Sequence, residues 1–112
     1  MTRVGVILSG CGVYDGSEIH EATLTLLFLD QAGAEIVSAA PDTETEVIDH
    51  RTGQPTGEKR SVLAEAARIA RGPVRDIKEP GGPAFIQKLF RLLELSRKVG
   101  KGLARIFMGE AR

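Results

Sequence analysis

The chain has 112 residues, enough for one domain with a modest core and too few for two. Its apolar content is 42%, its Lys/Arg and Asp/Glu counts are both 15, and the residue mix excludes a disordered or collagen-like chain. The one cysteine, Cys11, excludes an internal disulfide and fits a reducing compartment.

Val4–Leu8 is too short for the core of a secretory signal, and no apolar run approaches the 18 residues of a membrane span, so a cytoplasmic protein is the expectation. The zero net charge hides a division. Residues 1–83 hold 8 Lys/Arg and 13 Asp/Glu, whereas residues 84–112 hold 7 and 2. A basic segment follows an acidic body, and could pair with that body or with an anionic partner.

Arg3–Leu8 is a continuous apolar run, the pattern of a parallel strand covered on both faces. Ser9–Gly16 holds three glycines and reads as a turn, with Ser17 as the expected N-cap of a helix over Glu18–Ala32 and Gly33 as its stop. The apolar residues of that helix cover most of its circumference, which predicts burial on two sides. Glu35–Ala40 reads as a second strand, completing a strand–helix–strand unit.

Glu46–His50 reads as a short third strand at an edge, and Arg51–Lys59, with Gly53, Pro55 and Gly57, as a loop. Ser61 is placed to cap a helix from Val62 to about Arg71, and Val74–Glu79 is a brief candidate strand. After the break at Pro80–Pro83, the spacing of Phe85, Leu89, Leu92, Ser96, Val99, Leu103 and Ile106 predicts an amphipathic helix over about 85–107, weakened by Gly100 and Gly102.

The turn after the first strand invites a dinucleotide reading, but the third fingerprint glycine would fall where Asp15 stands, and a carboxylate there repels a pyrophosphate. Cys11 lies between a strand and a helix start, where a positive helix end would lower its pKa and make it a candidate nucleophile; packing is the competing reading. His20 and His50 match no zinc spacing, so no metal site is expected.

Three words carry a family resemblance: GVILSGCGVYDGSEIHEA at 5–22, APDTETEVIDHRTGQP at 40–55 and RSVLAEAARIARG at 60–72. In these the chain resembles the ElbB-type proteins, a branch of the PfpI superfamily with a class I glutamine amidotransferase-like fold. The resemblance implies a truncated flavodoxin-like α/β fold: a parallel sheet of two to four strands, helices on both faces and a C-terminal amphipathic helix. It also implies a glyoxalase-like activity, turning glyoxal into glycolate with no cofactor, and an association with isoprenoid biosynthesis.

By position, Glu21 would be the carboxylate that supports a catalytic thiol, and the amides of Gly81 and Gly82 would help form an oxyanion hole. The family's elbow cysteine, which lies well downstream, has no counterpart here. The resemblance fades after about residue 82, so the chain divides into an α/β part over 1–82 and a basic helical tail over 83–112.

Two functions are therefore expected as alternatives. One is a glyoxalase-like protein acting on a small aldehyde, weak or inactive for want of its nucleophile. The other is a non-enzymatic protein that presents 85–107 to an acidic partner or an anionic membrane surface. Uncovered sheet edges make a homo-oligomer a possible state, and no nucleic-acid module is recognised.

Overall fold

A computed structural model describes residues 2–79, 82–84, 86, 88 and 107–111, the last group as backbone. The elements run β1 (Arg3–Ile7), α1 (Ile19–Gln31), β2 (Glu35–Ala40), β3 (Glu44–Asp49), β4 (Gln54–Ser61), α2 (Val62–Ala70), β5 (Arg75–Asp76) and β6 (Phe107–Ala111).

Four strands form one sheet in the order β5-β2-β1-β6. β1 pairs with β2 in parallel, from Arg3 with Glu35 to Ile7 with Ala39, and β2 pairs in parallel with β5. Alternation along β1 serves both faces of the sheet. Val4, Val6 and Leu8 face α1 and α2, meeting Ala22 and Ala66 in one buried cluster with Ala40. Ile7 points the other way, to Ala39, Ile77 and Ile86. The expected α/β architecture with cover on both faces is present. Ile86, flanked by Ala84 and Lys88 in helical backbone, supplies the second cover.

The helix ends follow local chemistry. Glu18, not Ser17, caps α1: its carboxylate accepts the Glu21 N–H at 2.7 Å. Ser17 is buried instead, and its hydroxyl accepts the Ser9 N–H at 2.8 Å. Gly33 takes φ +77 after α1, the left-handed residue expected of a helix stop. Ser61 caps α2 as expected, accepting the Ala64 N–H at 3.1 Å. The left-handed residue after α2 is Arg71, at φ +57. α1 keeps Leu24, Leu27 and Phe28 exposed, so its second apolar side is not buried among the described residues.

Three expectations are corrected. The segment read as a loop, Arg51–Lys59, is a turn followed by most of β4. The strand beginning before it is not an edge of the main sheet, because β3 and β4 form an antiparallel hairpin of their own. The pairing slips between Glu46 and Ile48, where β4 accommodates its extra residues with Gly57 at φ +85 and the Thr56 hydroxyl donates to the Val47 carbonyl at 3.2 Å. Finally, Phe107, expected at the end of the tail helix, begins β6, which lies antiparallel against β1 with Arg3 opposite Ala111. The rest of the predicted helix over 85–107, apart from Ile86 and Lys88, lies outside the described residues.

Candidate functional site

The loop from Ser9 to Ser17 leaves β1 at the end where a parallel sheet commonly holds its site. It is tied at its base by Ser9 N–H to Ser17 Oγ and by Gly12 N–H to Ser17 O at 3.0 Å. Gly10 sits at φ +96, a conformation that favours glycine. A Cβ on Gly16 would stand 2.6 Å from the Cys11 nitrogen, so the two arms of the loop touch through backbone.

The loop docks on the β3–β4 hairpin through Asp15 and His50. Asp15 Oδ2 accepts the Ile48 N–H at 2.8 Å. His50 Nε2 receives the N–H groups of Val13 at 3.1 Å and Tyr14 at 3.3 Å, while its Nδ1 contacts the Ile48 carbonyl at 2.9 Å. Two donors converging on Nε2 place the ring proton on Nδ1. The Tyr14 ring stacks on the imidazole at a centroid distance of 4.8 Å. A Cβ on Gly12 would strike Asp15 Oδ1, so any larger residue there must displace the docking carboxylate.

Cys11 is half-buried beside this docking point. Burial and, next, the Glu65 carboxylate push its thiol above the ordinary value; Asp15 acts in the same direction, and the lowering by Arg68 and Arg60 does not reverse it. The activation expected from the helix end is therefore corrected: the thiol is held protonated at neutral pH. Glu65 is itself largely buried and ion-paired, with Arg68 Nε at 3.2 Å and Arg60 Nη1 at 3.9 Å.

Of the residues named through family resemblance, Glu21 and Gly82 lie among the described residues. Glu21 stands exposed on the first turn of α1. The Gly82 N–H donates to the Glu79 carbonyl at 3.1 Å. Gly81 lies outside the described residues. His20 is exposed beside Glu18, and among the described residues no group of three His, Cys, Asp or Glu is placed to hold a metal. The Asp15–His50 docking, which no spacing in the sequence announces, is the feature that sequence reasoning missed. Among the described residues no helix is long and apolar enough to cross a membrane.

No family model matches the sequence. Individual proteins do. The chain is 57% identical over 77 residues to the mitochondrial glutamine amidotransferase-like class 1 domain-containing protein 3 of Homo sapiens, a match covering 67% of this chain and 29% of that protein. It is 38% identical over 73 residues to the mitochondrial ES1 protein of Danio rerio, covering 63% of this chain and 27% of the relative. Among solved structures, an isoprenoid biosynthesis protein with an amidotransferase-like domain from Ehrlichia chaffeensis matches with a TM-score of 0.64 and 47% identity, over 67% of this chain and 36% of that one. The matches thus span under a third of the curated relatives' lengths. They support the amidotransferase-like, flavodoxin-like fold and correct the cytoplasmic expectation, since these relatives and the rat ES1 homolog are mitochondrial proteins.

Proposed function

We propose, from the premise that this chain belongs to the glutamine amidotransferase-like class 1 proteins over its matched two-thirds, that it carries the scaffold of a glyoxalase-like site without a working nucleophile. The observation that carries this reading is the environment of Cys11. It is the sole cysteine of the 112 residues, and its thiol is pushed up by burial and by Glu65. Aldehyde addition to a protein thiol begins with the thiolate, so this thiol is a weak starting point. Glu21, exposed on α1, is free of the buried setting in which a carboxylate tunes a neighbouring thiol.

The test is glycolate formation from glyoxal by the purified chain, beside a no-enzyme control and the Cys11→Ser variant. All three are expected to give the same rate. Turnover above the control that disappears in Cys11→Ser would overturn the reading and make Cys11 the nucleophile. A second measurement addresses the thiol directly. Iodoacetamide is expected to alkylate Cys11 more slowly in the folded chain than in urea at neutral pH, with the folded rate still rising above the ordinary thiol range.

A further inference from the structure

We infer that His50 and Asp15 form a proton-operated latch that sets the backbone of the Cys11 loop against the β3–β4 hairpin. In the neutral ring Nε2 offers its lone pair to two N–H groups, Val13 at 3.1 Å and Tyr14 at 3.3 Å, and Nδ1–H is satisfied by the Ile48 carbonyl at 2.9 Å. A proton taken from solvent can enter only at Nε2. The new N–H then points at two other donors, and both backbone contacts lose their acceptor.

The structure also holds the group that would receive this N–H. Asp15 Oδ1 stands 3.7 Å from Nε2, on a carboxylate whose side chain is 9% exposed. This oxygen is buried and has no hydrogen-bond partner, while its twin, Oδ2, is committed to the Ile48 N–H. A buried carboxylate oxygen without a donor is costly, and a protonated imidazole is the nearest remedy.

The other groups around the ring are accounted for. Tyr14 stacks on its face and keeps its attraction for a charged imidazole. On the ring's own hairpin, Asp49 is engaged by Arg51, whose Nη2 lies 2.9 Å from Oδ2 and whose backbone N–H donates to Oδ1. Asp15 is thus the acid that faces Nε2. Protonation therefore exchanges two backbone contacts for one ion pair: the ring stays, and residues 13 and 14 let go. Cys11, two residues before Val13, lies on the same loop, on the side of the Gly12 N–H to Ser17 carbonyl tie that the latch leaves in place. This latch does not depend on whether the chain turns over glyoxal.

The experiment is amide hydrogen exchange at Val13 and Tyr14 by NMR, expressed as protection factors so that the intrinsic pH dependence cancels, between about pH 7.5 and 5.5, the span in which imidazoles protonate. Protection at both amides is expected to fall by on the order of tenfold in the natural chain. In His50→Gln the side-chain oxygen accepts but does not titrate, so protection is expected to stay level. In Asp15→Asn the carboxylate that favours the protonated ring is gone, so the fall is expected to move to lower pH; a fall unmoved from that of the natural chain would overturn the part given to Asp15.

Level protection in the natural chain, or a parallel fall in His50→Gln, would overturn the latch. A readout on the unmodified chain keeps the test independent of how the variants fold: the imidazole 15N shifts are expected to show the Nδ1–H tautomer at neutral pH, and an Nε2–H tautomer would sink the proposal.

Discussion

β1 and β4 are both strands, but they are held in opposite ways. β1, Arg3–Ile7, is buried from Val4 onward and touches apolar side chains on both faces of the sheet. β4, Gln54–Ser61, is exposed over all but its last residue and is held by pairing with β3 and by short polar links such as Thr56 to Val47. Burial writes itself into sequence as an apolar run. A hairpin outside the core leaves only turn residues and partners chosen across the ladder, and these resemble a loop.

The difference is sharpest under mutation. Leu8→Ala, at the position that directly follows β1 and shares its buried cluster, empties a fully buried site and is expected to cost about 2–5 kcal/mol, read as a drop in the urea midpoint. Gly12→Ala comes next, because its methyl group meets the Asp15 carboxylate that joins loop to hairpin. A loss of about 1–3 kcal/mol is expected, together with loss of the Tyr14–His50 ring-current shifts in NMR. If Gly12→Ala leaves those shifts intact, the hairpin is held without the loop.

A smaller effect is expected at the α1 cap. The Glu21 N–H holds the Glu18 carboxyl below its ordinary range. A lowered folded value means that this stabilisation is present above the unfolded pKa and is lost as pH falls through the folded one. Glu21 amide protection should therefore decline in acid, and Glu18→Gln should flatten that decline. Smallest of all is Lys59→Ala on β4, exposed and opposite Glu46, which is expected to move stability by less than about 0.5 kcal/mol. A shift as large as that of Leu8→Ala would erase the contrast between the two strands.

The same contrast explains what was legible beforehand. β1, β2, α1 and α2 could be read because apolar spacing, Ser61 and Gly33 are local signals. β4 was read as a loop because Gly53, Pro55 and Gly57 are ordinary loop residues, and Gly57 does mark an irregularity, though one inside a ladder. β6 leaves no local signal, because a helical spacing runs up to Ile106 and the strand's pairing partner lies at the other end of the sequence. At the site, the position of Cys11 in the turn was legible, but the sign of its shift was not. Glu65 arrives from α2 and Asp15 is turned inward by Ile48, and neither approach has a local signal.

The antiparallel pairing of β6 with β1 sets an order of assembly. β1 meets β2 across one helix, but meets β6 across about three times that stretch of chain, which adds about 1 kcal/mol of loop-closure entropy. The parallel pair is therefore the natural nucleus, and the far side of β1 is zipped last. Until residues 107–111 arrive, that side of an apolar strand offers unpaired backbone to any neighbouring chain, and once β6 has paired the exposed edge passes from the buried β1 to β6.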